Sequence, residues 1–179
     1  MSDTQWPRWE VFKQDTPNKP HQAVGSVHAA DPDHALLNAR NVFVRRPKAV
    51  SLWVAQADHI FSMTDEELGK NPDWAQEEMA ETIEQTSYAI FCKTSHRRSM
   101  TFVDYIGEVE ATTSKQALSR ALETFTDQAV LAWWVIPTSA IARSESDDVE
   151  SWFAPALTKT YKQQSAYGFV RVEPKKKAS

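Results

Sequence analysis

The amino-acid sequence predicts an α+β fold made of two tandem ββαβ units, each a small, mainly antiparallel sheet with one helix on one face. Two observations predict it. The order strand, strand, helix, strand occurs twice, about 80 residues apart, and both predicted helices carry an apolar stripe of the same spacing. A unit of roughly 60 residues is only marginally stable alone. We therefore predict that the two units pack as an intrachain pseudo-dimer with approximate twofold symmetry, or continue one sheet, to cover edge strands.

The first unit is predicted over residues 1–62. Its helix has a clear start, because Asp31 is a good N-cap and Pro32 suits the first helical position. The flanking segments have the apolar and β-branched composition of strands. The predicted elements are strands at 10–13, 24–29 and 50–54 and a helix from 31 to about 46.

The second unit is predicted over residues 87–179. Its helix is predicted to begin with a capping box, in which Thr113 caps the helix and Gln116 bonds back to it. The predicted elements are strands at 88–92, 105–111 and 129–135 and a helix from 114 to about 126.

The two helices provide the most specific evidence for a repeat. Each has apolar residues at i, i+1, i+4 and i+8, which form one stripe that packs on a sheet. Gly25 and Gly107 stand at the same sequence distance before the last member of each stripe, and a glycine within a strand often marks a bulge or a close approach. The stripe residues are Ala35, Leu36, Ala39 and Phe43 in the first helix and Ala117, Leu118, Ala121 and Phe125 in the second.

An acidic segment, residues 63–86, separates the units and is predicted to be a helical linker on the surface. Two interpretations stay open for its charge: a solvated face, or a surface that meets a basic partner.

Composition excludes several classes of protein. With 41% hydrophobic and 25% charged residues the chain is expected to fold, and a formal charge of −4 disfavours nucleic-acid binding. No apolar run has the length of a membrane span, and no signal peptide is predicted. Cys92 is the single cysteine, so no intrachain disulfide can form and a cytoplasmic location is expected.

No motif for chemistry is present in the sequence. Glycine-rich phosphate loops, nucleophile elbows and paired cysteines are missing. His28, Asp31, Asp33 and His34 are close enough to suggest a metal site, but Asp31 is explained as a helix cap and the second unit has no matching set. We predict no catalytic, cofactor-binding or metal-binding residue in this chain.

Aromatic residues indicate an interaction module. Trp133 and Trp134 are neighbours in a predicted strand, so their side chains point to opposite faces of the sheet. One of them must lie on the face that its helix does not cover, which suggests a buried interface within the chain or with a partner. Arg45 and Arg46 follow the first helix and serve either its C-terminus or an anionic partner.

The first unit resembles the B subunit of bacterial phenylacetyl-CoA epoxidase, the ring-epoxidising oxygenase of aerobic phenylacetate degradation. The resemblance is dense over about sixty residues, and the family's C-terminal pattern returns after the second unit. Family members are about half this length, with one unit. The matching segments are Trp6-Pro7-x-Trp9-Glu10-Val11-Phe12, His21-x-x-Val24-Gly25-Ser26-Val27-His28-Ala29-Ala30-Asp31, Ala35-Leu36-x-Asn38-Ala39-Arg40, Arg45-Arg46, Ser51-Leu52-Trp53-Val54 and Trp152-Phe153-Ala154-Pro155-Ala156-x-x-Lys159-x-Tyr161.

The resemblance implies a non-catalytic subunit that bridges the catalytic A and structural C subunits into the working oxygenase. It implies a di-iron centre in the A subunit, and flavin, an iron–sulfur cluster and NADPH in a separate reductase, with no cofactor in this chain. Single-unit members are expected to act as dimers, and the duplication here is interpreted as a substitute for that dimer. The second unit lacks the His-Ala-Ala-Asp run and the double arginine, and one interpretation is that it only packs on the first.

The candidate partner-interface residues combine this pattern with the aromatic faces. A free-standing ligand-binding α+β module, with its site near His28, Arg45 and Arg46, is the alternative function, and self-association is a further possibility. The interface candidates are Trp6, Trp9, His28, Arg40, Arg45, Arg46, Trp53, Trp133 and Trp134.

Overall fold

The fold is mixed α and β, with one eight-stranded antiparallel sheet, and confirms the predicted class. The computed structural model describes residues 5–44, 49–71, 74, 85–96, 102–125 and 129–155. Arg45 and Arg46, most of the acidic linker and the chain after residue 155 lie outside these ranges.

Each repeat contains one strand more than predicted. A short 3₁₀ turn follows the third strand of each repeat and leads into a fourth strand of only three or four residues. The elements of the first repeat are β1 (Arg8–Gln14), β2 (Gln22–His28), α1 (Pro32–Phe43), β3 (Ser51–Gln56) and β4 (Phe61–Thr64), followed by the short α2 (Asp65–Lys70). Those of the second are β5 (Thr86–Lys93), β6 (Asp104–Ala111), α3 (Ser114–Thr124), β7 (Ala132–Pro137) and β8 (Ile141–Arg143), followed by a π-helical turn (Val149–Phe153).

The additional strands pair across the repeats. The strand order is β4-β7-β5-β6-β2-β1-β3-β8, so exchanging the two repeats simply reverses it. Strand β4 of the first repeat pairs with β7, and β8 of the second pairs with β3. At the centre, β2 meets β6, where Ala23 donates to the Val103 carbonyl (2.9 Å) and Tyr105 donates to the His21 carbonyl (2.8 Å). This order agrees with an approximate twofold axis between the repeats.

The predicted boundaries of the units stay a prediction. Strand β4 crosses the boundary predicted at residue 62. Its hydrogen bonds go to β7 of the second repeat. In the predicted linker, α2 is capped by Thr64, whose hydroxyl accepts from the Glu67 N–H while the Glu67 carboxylate accepts from the Thr64 N–H.

The two helix starts follow the predicted caps, with one correction. The Asp31 carboxylate accepts from the His34 N–H at 2.8 Å, and the Thr113 hydroxyl accepts from the Gln116 N–H at 3.1 Å. The return bond of the predicted capping box is displaced by one residue. Gln116 accepts from the N–H of Thr112 instead of that of Thr113, since Thr112 also offers its hydroxyl to the same oxygen.

The repeated glycines make room for the last aromatic residue of each helical stripe. A Cβ on Gly25 would lie 3.0 Å from the Phe43 ring, and one on Gly107 would lie 2.8 Å from the Phe125 ring. Each glycine lies beside a bulge in its own strand, where the pairing register skips Val24 in β2 and Ile106 in β6. The close approach predicted from the sequence is therefore confirmed at both positions.

Three clusters of buried residues form the core. One lies between α1 and the outer face of the first half of the sheet, and a second lies between α3 and the second half. The third joins the two halves on their inner faces, where the rings of Phe12 and Phe91 are 4.3 Å apart between centroids. Trp133 belongs to the cluster under α3, and Trp134 packs against the inner cluster. The predicted opposite orientation of the two side chains is therefore confirmed. The face of the sheet that α3 does not cover forms an interface within the chain.

Candidate functional sites: two tryptophan sites and an exposed helix

The seven candidate interface residues that the structure describes fall into different environments. Trp6 is 55% exposed and stacks edge-on against His34, and its carbonyl lies 2.8 Å from Nδ1 of the exposed His28. Trp9 is a core residue whose indole N–H donates to the Ala29 carbonyl at 3.0 Å. Trp133 is likewise buried in the core, so neither Trp9 nor Trp133 offers its side chain to the surface of this chain.

Arg40 has partners within the chain. Its Nε donates to the Trp152 carbonyl at 3.2 Å, and its guanidinium lies 5.9 Å from the centre of the Trp152 ring. Phe153, next in sequence, is buried in the core of the first repeat. Arg40 therefore holds the end of the second repeat against the first, as a structural contact.

Trp53 is the centre of a half-buried polar and aromatic cluster, the Trp53 site. His21 stacks on one side of the indole at 3.6 Å between centroids, and the Arg143 guanidinium lies 4.4 Å from the ring centre. Tyr105 meets the same ring edge-on at 5.2 Å. Arg143 also pairs with the Glu108 carboxylate at 3.3 Å.

The imidazole of His21 is held neutral in this cluster. Burial lowers the pKa of His21 to about 4, and the positive charge of Arg143 contributes to that fall. The ring nitrogen Nε2 lies 3.0 Å from the Ser51 hydroxyl. In the sequence His21 stands out only as part of a family pattern, and no local signal indicates Arg143 or Glu108 as its neighbours.

Trp134 occupies the position equivalent to Trp53, but it lines an open space, the Trp134 cavity. The equivalence follows from the register, because Phe12 faces Trp53 and Phe91 faces Trp134 across paired strands. The cavity has a volume of about 220 Å³. Its lining includes Arg8, Glu10, Ser26, Ile60, Ser62 and Trp134.

A buried carboxylate lies in the wall of this cavity. The Glu10 side chain is 6% exposed, and Nε of Arg8 lies 3.3 Å from its Oε1. Burial raises the pKa of Glu10, and the Arg8 charge opposes that rise only in part. In the sequence Glu10 is part of the family pattern, but no local signal distinguishes it from an ordinary strand residue. It faces inward because its side chain alternates with those of Trp9 and Val11, which pack under α1.

The outer face of α1 carries exposed apolar residues. Leu37 is 45% exposed and Val42 is 58% exposed. The equivalent positions in α3 hold Ser119 and Thr124. The two helices therefore share their buried stripe but differ on the outside. Trp6 precedes β1, but its ring contacts His34 of α1. We therefore call Trp6, Leu37 and Val42 together the α1 apolar residues.

The described residues bring together no set of ligands or nucleophile. Within these ranges no three His, Cys, Asp or Glu side chains are grouped as a metal site would require. Burial raises the pKa of the Cys92 thiol to about 11, and the nearby Asp104 carboxylate contributes to the rise, which keeps the thiol protonated. Of the helices in the described ranges, none has the length and apolar content needed to span a bilayer.

These features define a class of protein, an α+β fold in which two related sequences exchange their last strands and differ in the surfaces they present. The family model described as Phenylacetic acid degradation B (PaaB) matches the chain twice, over residues 5–82 and 84–173. The chain belongs to this family. Each match contains one of the two repeats of the sequence, and the first also covers most of the predicted linker.

A relative from Escherichia coli (strain K12) resembles about one repeat of the chain. It is the B subunit of 1,2-phenylacetyl-CoA epoxidase, and it is 42% identical over 76 residues. Those residues make up 80% of that protein but 42% of this chain. No solved structure matches the chain.

Proposed function

We propose that the chain is a non-catalytic structural subunit of a phenylacetyl-CoA epoxidase in phenylacetate degradation, and that it bridges the catalytic A and structural C subunits. The observation that supports this most strongly is the 42% identity to a protein that is named as the B subunit of that enzyme. On this proposal the di-iron centre belongs to the A subunit, and flavin, iron–sulfur and NADPH chemistry belongs to a separate reductase.

The α1 apolar residues support a role in assembly. Among the described residues, the exposed large hydrophobic side chains are Trp6, Leu37, Val42 and Val149. Three of these four belong to the first repeat. Exposed apolar and aromatic side chains favour protein–protein contact, because covering them removes apolar area from water.

The test is the solution mass of the full chain, alone and mixed with the A and C subunits from its own genome, measured with light scattering. A bridging chain is expected to be monomeric alone, since the second repeat occupies the place of a partner chain, and to enter a larger complex with the two subunits. If the chain dimerises alone, the second repeat does not replace a partner chain, but the bridging function still stands. A chain that binds neither of them would overturn the proposal.

A variant of the helix surface makes the test specific. Leu37→Ser with Val42→Thr replaces two α1 apolar residues by those that α3 carries at equivalent positions. We expect affinity for the subunits to fall by about tenfold or more, because Leu37→Ser removes apolar contact area and Val42→Thr places a hydroxyl in an apolar contact, at a cost of about 1–2 kcal/mol each. The matched control is Glu123→Ser on the exposed side of α3, which is expected to leave affinity unchanged.

The second candidate is a free-standing ligand-binding module, which the Trp134 cavity favours. The sequence predicted such a site near His28, Arg45 and Arg46, and the last two lie outside the described residues. The cavity instead combines Trp134 of the second repeat with residues of the first. Binding of a small molecule by the chain, together with no binding of the A and C subunits, would favour this candidate over the bridging function.

A further inference from the structure

The Trp134 cavity is the counterpart of a space that Arg143 fills at the Trp53 site. Arg143 lies opposite Trp53 in the pairing of β8 with β3, and Ser62 lies opposite Trp134 in the pairing of β4 with β7. Ser62 is therefore the residue equivalent to Arg143. Its short side chain leaves open the space that the guanidinium occupies on the other side of the approximate twofold axis.

Both sites have a carboxylate, supplied by different strands. In the second repeat Ala89 pairs with Glu108, and in the first repeat Glu10 pairs with Ser26 at the same register. The two glutamates stand on strands that are not equivalent, Glu10 on β1 and Glu108 on β6. Each site nevertheless has one carboxylate beside its tryptophan. An aromatic face and a carboxylate together suit a guanidinium, which stacks on rings and donates in one plane.

The two carboxylates differ in how far they are satisfied. Glu108 accepts from the Ser87 hydroxyl at 3.1 Å and pairs with Arg143 at 3.3 Å. Glu10 pairs with Arg8 through one oxygen, Oε1, and lines the cavity. Glu10 is also more deeply buried than Glu108, whose side chain is 37% exposed. A buried carboxylate with a single cation beside it gains from a second one.

We propose that the Trp134 cavity binds the guanidinium group of an arginine from a partner chain, seated against Trp134 and the Glu10 carboxylate as Arg143 is seated against Trp53 and Glu108. The source of that arginine rests on the proposed function, in which the partner is the A or C subunit. The guanidinium would donate to Glu10, and Arg8, whose side chain is 58% exposed, would stay at the rim.

The direct test is a titration of the full chain with arginine amide, followed by ¹H–¹⁵N NMR. The Trp134 indole N–H signal is identified by its loss in Trp134→Phe. Arginine amide is expected to shift this signal saturably, and Glu10→Gln is expected to weaken binding about tenfold or more, because the charge-assisted contact is lost. Lysine amide is the comparison probe that tests whether any cation binds. Acetate tests whether an anion binds at Arg8.

The matched variants are two substitutions of one cavity residue. Ser62→Arg places a guanidinium in the cavity from within the chain and is expected to abolish the response to arginine amide. Ser62→Ala keeps the cavity open without adding a charge and is expected to keep most of the response. Dispersed amide signals in each variant show that it folds.

Several results would overturn the proposal. They are no saturable shift with arginine amide, equal binding of lysine amide, a response to acetate alone, or an unchanged response in Ser62→Arg. The mixture with A and C subunits then separates the two proposals. If wild-type chain binds neither of them but still binds arginine amide, the bridging function fails and the cavity stands. If both wild type and Ser62→Arg bind the subunits equally, the arginine does not come from them.

Discussion

Trp53 and Trp134 hold equivalent places in the two repeats and are both half-buried, yet their surroundings differ. Trp53 is covered by His21, Arg143 and Tyr105, whereas Trp134 meets Phe12 edge-on at 6.3 Å and lines a cavity. The residues equivalent to those three are Val103, Ser62 and Ala23, all of them smaller. Two copies of one fold thus share a core but differ in the side chains that surround the central tryptophan.

The difference shows which parts of the repeat are constrained by packing. The helical stripe, the glycine and the phenylalanine above it are the same in both copies, because a changed volume in a close-packed core costs stability. The tryptophan sites lie at the margin of the inner cluster, where polar side chains reach solvent and the packing is less demanding. Divergence at that margin changes a surface and leaves the fold intact.

The largest expected effect tests the shared part. Phe12 and Phe91 are equivalent, fully buried and in contact with each other, so Phe12→Ala and Phe91→Ala are each expected to lower the free energy of unfolding by about 3–5 kcal/mol. Urea denaturation followed by circular dichroism measures both. Trp6→Ala, at an exposed position, is the control and should change stability by no more than about 0.5 kcal/mol. Unequal losses for the two phenylalanines would break the equivalence.

A titration separates the two tryptophan sites. The pKa of His21 falls from 6.5 to about 4 on folding, because burial and Arg143 disfavour its charged form. Between pH 6.5 and 4 the unfolded chain therefore binds a proton that the folded chain does not. The free energy of unfolding is expected to fall by up to about 3 kcal/mol as the pH drops through this interval.

The control for this titration is His21→Phe, which keeps a ring for stacking on Trp53 but cannot titrate. The difference in unfolding free energy between wild type and this variant, measured from about pH 7 to about pH 4, isolates the contribution of His21. The second repeat has Val103 at the equivalent position and contributes no such slope. A difference that stays constant with pH would contradict the assignment.

The two glycines are expected to differ slightly. Gly107→Ala and Gly25→Ala each force a Cβ against a phenylalanine ring, at 2.8 Å and 3.0 Å respectively. Overpacking of this kind costs about 1–3 kcal/mol, and the shorter contact should cost more. Thermal or urea unfolding of the two variants provides the comparison, with Gly69→Ala in α2 as the control, since a Cβ there would have no neighbour within 4 Å. A larger loss for Gly25→Ala would reverse the expected order.

The smallest expected effect on stability has the sharpest consequence for binding. Arg143→Ser gives the Trp53 site the residue found at the Trp134 cavity. Because Arg143 is 40% exposed, its ion pair and its contact with the ring together contribute only about 1 kcal/mol or less. The variant is expected to bind a second equivalent of arginine amide, now at Trp53, which NMR shows as a shift of the Trp53 indole signal. An unaltered Trp53 signal would mean that enclosure by His21 and Tyr105 already excludes a guest.

Local signals made much of the fold predictable. The caps at Asp31 and Thr113 and the repeated stripes marked both helices, and the paired glycines marked two close approaches that the structure contains. The opposite orientation of Trp133 and Trp134 followed from strand geometry alone. The displaced bond from Thr112 to Gln116 did not, because two neighbouring threonines offer nearly equivalent donors and only the backbone geometry chooses between them.

The candidate site was less accessible to prediction. The family pattern makes Trp9 and Trp53 interface candidates, and strand alternation adds Trp133 and Trp134, but the structure separates these four into core positions and two unlike sites. Glu10 gains its surroundings from strands that are distant in sequence, as Arg143 does in the other half of the sheet. A carboxylate in a strand has no distinguishing local pattern, so Glu10 could be recognised only after its neighbours were in place.

By itself, the sequence determined that this protein is an α+β chain with two related units, where its helices begin and which helical faces are buried. These properties depend on periodicity and capping, which act over a few residues. Only the tertiary structure decided that the short strands β4 and β8 change repeats, and that one tryptophan is packed against His21 and Arg143 while the other lines a cavity. Strands of three or four residues carry too little pattern to be seen in sequence, and they form because a distant edge offers them hydrogen bonds.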